Sequence, residues 1–333
     1  ARSGRPSLLV SPRTENVVVA VDLGVDRIAV ALVALGGTVL ERKERPHQRG
    51  EHDVVHVVES ASQMVTDLLA ASPGVRCLGV GVAVPGAVSS EEGSVRFAPN
   101  LGWVDAPFSE LLGAQLGLTV STGNDANLGV LAEHLRGAAR GHDNVAYLSG
   151  SVGIGGGFLV GGRLMQGAHG YAGEIGHILV DRNGPRCRCG NIGCWEMKVG
   201  ENQLLTRAGR LPGGGPVGVA EVIDAARGGD VRAREAVLDV ADWIGVGLRA
   251  VINLFNPEVI VLGGSLAQVW EDQRDRIDAV LDRWSLMSPR AEVIIRASQF
   301  GPDSPLLGAA ELAFEPVLEN PMIVAAERVA ADV

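Results

Sequence analysis

Two similar α/β lobes with a cleft between them are what this sequence predicts, and three observations predict it. A strand, a hairpin, a helix and a further strand follow one another twice along the chain. Glycine is abundant (45 residues) and aromatics scarce (4%), as an α/β protein with many tight loops requires. With 333 residues, 46% of them hydrophobic, the chain is long enough for two sizeable cores. The architecture expected is a duplicated, actin-like one, not a single Rossmann sheet.

In the first unit, Val17–Leu23 is a mostly apolar run ended by Gly24 and reads as a buried strand. Arg27–Val33 and Thr38–Glu44 follow at hairpin spacing around Gly36-Gly37. Asp53–Ala71 repeats apolar residues at helical period through Val54, Val57, Val58, Ala61, Met64, Val65, Leu68 and Leu69. Arg76–Val84 is a strand. Pro107–Leu116 is a helix with proline in its first turn. Leu118–Thr122 is a short strand, and Ala126–Gly137 is a helix capped by Asn124 or Asp125.

The second unit repeats the plan. Strands are expected at Asn144–Ser149, Ile154–Val160, Arg163–Gln166, Val259–Leu262 and Val293–Ala297, with a long helix over Ala233–Phe255. Ser304–Phe314 is a helix expected to stop before Pro316. The domain reading is a linker over 1–16, a small lobe over 17–121 completed by helix 304–314, a large lobe over 122–303, and a tail over 315–333. Gly4, Pro6 and Pro12 mark the linker.

The formal net charge of -10 argues against nucleic-acid binding by these residues themselves. The charge-free stretch Asn144–Gly162 is too glycine-rich for a membrane span. No signal peptide precedes the first strand, and reduced cysteines imply a cytoplasmic protein. The start at Ala1 instead of Met leads to the expectation of a truncated or processed chain. There are only two lysines, Lys43 and Lys198, and no GxxxxGK[ST] phosphate loop.

Cys187, Cys189 and Cys194 stand together in Cys-Arg-Cys-Gly-Asn-Ile-Gly-Cys, ten residues after His177; the remaining cysteine, Cys77, is remote. Three thiolates and an imidazole make the four-ligand shell of a closed structural zinc site. The spacing is not the common CxxC pair, and reduced buried thiols are the alternative.

Two further groups are chemically suggestive. Asn124-Asp125 lies where a strand gives way to a helix, so it can grip neighbouring hydroxyls or simply cap the helix. Asp125 facing a hydroxyl could act as general base. Glu174, His177 and Glu196 flank the cysteine loop; a zinc-bound His177 would hold them rigidly around one pocket suited to a sugar ring. The alternative is that both glutamates are solvated. Of the two glycine-bearing first turns, Gly150–Gly155 can present N–H groups to phosphate. Gly24-Val25-Asp26 cannot do so easily, because Val25 resists positive φ and Asp26 repels phosphate.

Together these residues resemble the ROK family of sugar kinases and sugar-responsive repressors. Cys187–Glu196 matches its CxCGxxGCxE signature. The resemblance also takes in Val84-Pro85-Gly86, Asn100-Leu101-Gly102-Trp103, the Asn-Asp-Ala-Asn segment, Gly173–His177 and Asn253–Pro257 leading to Gly263-Gly264. It implies a two-lobed, hexokinase-type fold of the ribonuclease H-like ATPase clan. It further implies zinc at His177, Cys187, Cys189 and Cys194, and a hexose held by Asn124, Asp125, Glu174, His177 and Glu196, with Asp125 the base in the kinases.

The family's kinases carry Asp-x-Gly-Gly-Thr in the first loop, and this chain has Asp22-Leu-Gly-Val-Asp26. That departure resembles the repressor branch, as does Gly4-Arg5-Pro6, similar to the segment after a winged helix-turn-helix. The expectation is therefore the sugar-sensing, oligomerising region of a repressor, a homodimer or homotetramer that meets DNA only through an absent N-terminal domain. An ATP-dependent sugar kinase and a binding protein with no DNA partner are the competing readings.

Overall fold

The structure, a computed structural model, describes residues 14–47, 53–89 and 93–322. The expected linker, apart from residues 14–16, and residues 323–333 of the expected tail lie outside them.

Among the described residues thirteen strands form three sheets: β1 Asn16–Leu23, β2 Arg27–Ala34, β3 Thr38–Pro46, β4 Arg76–Val84, β5 Ala87–Val88, β6 Val95–Ala98, β7 Trp103–Ala106, β8 Val120–Asn124, β9 Val145–Gly150, β10 Ile154–Val160, β11 Arg163–Leu164, β12 Val259–Gly263 and β13 Ile294–Ala297. The first sheet runs β3-β2-β1-β4-β8 and the second β11-β10-β9-β12-β13. In each, two hairpins lead the order and the last three strands are parallel. The two sheets thus share one plan, so the β1–β2 turn at Gly24–Asp26 and the β9–β10 turn at Ser151–Gly153 are equivalent.

β1, β2 and β12 are buried along nearly their whole length. Their apolar runs read that way because a sheet covered on both faces has no polar side. Helices Val54–Ala70 and Phe108–Leu116 cover one face of the first sheet around Val57, Val65, Leu68, Phe108 and Leu112. Helix Ser304–Glu319 covers the other, packing Leu306, Ala309, Ala313 and Phe314 on Val18, Ala20 and Val33. The largest core lies under the second sheet, where helix Val231–Phe255 meets the helices around it.

Helix Asp125–Leu135 lies between the two sheets. Its Leu128 belongs to the core beneath Ser304–Glu319, while Ala126 and Val130 pack on Tyr147 and Val261 of the second sheet. The fit is tight enough to require glycine on both sides. A Cβ on Gly157 would stand 2.2 Å from the Ala126 carbonyl oxygen, and one on Gly308 would stand 1.9 Å from that of Leu128.

Several expectations needed correction. The strand expected at Leu118–Thr122 is Val120–Asn124, so a lobe boundary at 121/122 would cut it. Helix Ser304–Glu319 runs through Pro316 instead of stopping before it. Pro316 has no N–H for Leu312, but its own carbonyl still accepts from Asn320 N at 3.1 Å, so the last turn closes. The small sheet β5-β6-β7 had not been anticipated, because its strands are two to four residues long. No described helix is long and apolar enough to cross a membrane.

Candidate functional site

A cleft of about 340 Å³ opens between the lobes. Its wall takes Val25 from the first turn, Ser151, Val152 and Gly153 from the equivalent turn, Phe97 and Asn100 from the small sheet, and Pro305. Asn124, Asp125, Glu174, His177 and Glu196 all line it. Residues spread over 73 positions of sequence, from 124 to 196, are thus brought to one place.

Asn124 ends β8 and caps the next helix: its Oδ1 accepts from Asn127 N at 3.0 Å. Its Nδ2 donates to Gly86 O at 2.9 Å, tying the Pro85-Gly86 turn to the helix start. The cap reading is therefore realised, and it fixes the side chain at the cleft wall. Asp125 is the first helical residue, and its Oδ1 accepts from Ala126 N at 2.8 Å. Burial pushes its carboxyl up to about 7; that N–H opposes the rise, and the charges of Asp22 and Glu174 add to it. A carboxyl titrating near neutrality is suited to exchanging a proton with a bound hydroxyl.

His177 ends a short 3₁₀ turn and faces two ways. Nδ1 lies 3.7 Å from Cys187 Sγ, and Nε2 lies 3.8 Å from Glu174 Oε2. Burial raises the Glu174 pKa, His177 lowers it, and Glu196 raises it. Glu196 heads a short helix and accepts from Ile154 N at 3.1 Å through Oε2. Gly153 permits that approach, since a Cβ there would lie 2.5 Å from the same oxygen.

The ligand atoms of His177, Cys187, Cys189 and Cys194 lie within 4.8 Å of one another. Cys189 Sγ and Cys194 Sγ are 3.6 Å apart, far beyond an S–S bond. A tetrahedral zinc with legs of about 2.0–2.3 Å has edges of about 3.3–3.8 Å, which the Cys189–Cys194 separation of 3.6 Å and the Cys187–His177 separation of 3.7 Å match. The loop is anchored beside the cluster. Trp195 is fully buried and donates to Trp243 O at 2.7 Å, and Lys198 pairs with Asp181 at 2.7 Å. This cluster of three cysteines and a histidine can hold a metal ion.

Sequence reasoning missed three features. Arg27 Nη2 donates to the buried carboxylate of Asp22 at 2.9 Å and to Pro302 O at 3.2 Å, while its Nη1 reaches Glu44 at 3.1 Å. Burial lifts Asp22 to about 6 against the lowering effect of Arg27. An acidic and a basic residue five apart gave no signal without the hairpin that brings them together. Arg188 lines the cleft and reaches Asn100 Oδ1 at 3.3 Å. Glu133, wholly buried, accepts from the Ser298 and Ser304 hydroxyls and from Ala138, Gln299 and Phe300 N–H groups. It binds the bridging helix to the segment before Ser304–Glu319.

Residues 18–315 match the ROK family. The chain belongs to the ROK family. Both branches of the family are close to it. It is 29% identical to the xylose repressor of Bacillus subtilis over 325 residues, 95% of this chain and 81% of that protein. Among solved structures, a ROK family glucokinase from Streptomyces griseus in complex with glucose and AMPPNP superposes with a TM-score of 0.76 at 30% identity, covering 90% of this chain and 99% of that one. A ROK family transcriptional regulator, a homologue of the E. coli MLC protein, gives a TM-score of 0.77 at 26% identity, covering 90% and 78%. The ROK fold is two-lobed and actin-like, and likeness to the whole chain does not separate a regulator from a kinase.

Proposed function

We propose that this chain is the sugar-sensing and oligomerising region of a ROK-family transcriptional regulator and has no useful kinase activity. The observation that carries the reading is the pairing of Arg27 with Asp22 behind Val25 and Asp26 in the first turn. Phosphoryl transfer needs the nucleotide phosphates cradled and their charge neutralised. Here the turn offers a β-branched side chain and a carboxylate, and the two guanidiniums near it are already paired, Arg27 with Asp22 and Glu44, and Arg42 with Glu44 and Asp303.

The effector is a monosaccharide or a derivative of one. Asn124 and Asp125 reach it from the end of the first sheet; Glu174, His177 and Glu196 reach it from the metal loop on the second. A ring held by both sets links the lobes, so binding favours one lobe orientation over others. Zinc at His177, Cys187, Cys189 and Cys194 keeps the loop carrying Glu196 in place. With zinc on Nδ1, the His177 Nε2 proton points to the cleft side, beside Glu174. DNA contact belongs, on this reading, to a domain preceding the lobes, the chain assembles as a homodimer or homotetramer, and a thiolate zinc site is in keeping with a cytoplasmic protein. The kinase reading is supported by Asp125 in the cleft wall, by the glycine-rich second turn and by the likeness to the Streptomyces griseus glucokinase. Calorimetry with a panel of monosaccharides, their phosphates and N-acetyl derivatives tests the sensor: saturable binding of at least one supports it, and silence across the panel refutes it.

A further inference from the structure

Away from the cleft, a second cavity of about 580 Å³ lies on the outer side of the large lobe, lined by Asp242, Val246, Arg249, Arg276, Val280 and Arg283 among others. Helices Val231–Phe255 and Arg274–Trp284 form it. They run side by side in the same direction, because Arg276 meets Asp242, and Val280 meets Gly245 one turn further on. At that crossing a Cβ on Gly245 would lie 2.6 Å from Val280 Cγ1, so the helices touch there. One end of the cavity is stitched by Arg276, whose Nε and Nη2 donate to the two oxygens of Asp242 at 2.6 and 2.7 Å.

The other end is different. Arg249, half-buried, has neither a hydrogen bond nor an ion pair among the described residues, and Arg283 makes only a ring contact, 5.0 Å over Trp284. Trp284 is itself 55% exposed, and Val246 and Val280 supply an apolar wall. Three arginines against one aspartate leave the lining with two excess positive charges, in a chain whose formal net charge is -10. Positive charge collected over an apolar wall, with the guanidinium of Arg249 unanswered, is complementary to a molecule with an anionic group and a flat apolar body.

We propose that this groove is a second ligand site, separate from the interlobe cleft, for a small organic anion carrying a flat apolar ring. The anionic group sits between Arg249 and Arg283, and the ring lies along Val246, Val280 and the exposed indole of Trp284. An inorganic anion alone lacks the second half of this complementarity and binds more weakly.

The test uses the fluorescent probe 1-anilinonaphthalene-8-sulfonate on the folded chain, with inorganic phosphate as the anion-only comparison. One saturable probe site per chain is expected, undisturbed by glucose or xylose at saturating levels. The double change Arg249→Ala with Arg283→Ala removes both charge-assisted contacts and should weaken it by more than about tenfold, the loss expected for one of them. Arg283→Glu alone, at an exposed position, should act in the same direction without touching the core, and Arg249→Lys with Arg283→Lys should retain most of the affinity. Thermal midpoints of all variants serve as the check on folding. Unchanged probe affinity in the Arg283→Glu protein, displacement of the probe by sugar, or inorganic phosphate binding as tightly as the probe overturns the proposal. So does a fall in probe binding that coincides with dissociation of the chain's oligomer in sedimentation, because the groove would then be a contact between copies.

Discussion

Arg27 Nη2 stands 2.9 Å from Asp22 Oδ2, so a carboxylate buried at the end of β1 is answered by a guanidinium from the start of β2. The pair is asymmetric: the Asp22 side chain is 8% exposed and that of Arg27 25%. Removing the cation therefore strands a buried acid, while removing the acid leaves a cation that can still reach Glu44 and water. Arg27→Ala should lower stability by about 2–4 kcal/mol in denaturant unfolding, somewhat under the loss for a fully buried pair. Asp22→Asn should cost less. If the order is reversed, the burial argument is wrong.

Asp22 and Asp125 both titrate higher when folded, at about 6 and about 7, than the ordinary 3.8 of an aspartate. A raised carboxyl pKa means the folded chain keeps a proton that the unfolded chain releases. Stability contributed by that proton is complete below about pH 4 and is lost as pH rises through 6 to 7. In Asp125→Asn the Asp125 part of this decline disappears. Chemical denaturation between pH 4.5 and 7.5 should show a shallower fall for the variant than for the parent chain. Parallel curves would mean that Asp125 titrates normally.

About one zinc per chain should appear in elemental analysis, bound by His177, Cys187, Cys189 and Cys194. Cys187→Ser should lower both metal content and thermal midpoint. It should also weaken sugar binding, because the metal loop carries Glu196 into the cleft. Zinc-free protein with unaltered stability, or a disulfide among the three cysteines, would contradict this.

Asp125→Ala and Glu174→Ala should each weaken the sugar that binds best in calorimetry by about 1–3 kcal/mol, the usual cost of a lost hydrogen bond to a buried ligand. Affinities equal to the parent's would put the effector somewhere else.

The legible parts of this molecule were those fixed by local pattern. Ile154–Val160 and Arg76–Val84 form strands over the residues expected, because apolar runs bounded by glycine or turn residues admit little else. The cluster of His177 with the three cysteines was legible because the four lie within eighteen residues, and a short glycine-bearing loop can bring them together. The Asn124 cap was legible from its place before a helix. What escaped depends on partners distant in sequence. The Glu133 carboxylate is explained only by Ser298 and Ser304, 165 and 171 residues away. Arg27 meets Asp22 only across a hairpin, and the three short strands β5–β7 hold too few residues to show an alternation. Pro316 misled for the opposite reason. A local rule said stop, and packing of Phe314 and its neighbours on the first sheet carried the helix past it.

The central claim is that the cleft receives a sugar and does not phosphorylate it. A coupled assay with ATP, magnesium and saturating amounts of the sugar that binds in calorimetry tests this most directly. The account predicts no turnover above background, for the parent chain and for Asp125→Ala alike. Turnover near ~1 s⁻¹ or above, in the ordinary kinase range and abolished by Asp125→Ala, would contradict it and make the chain a sugar kinase.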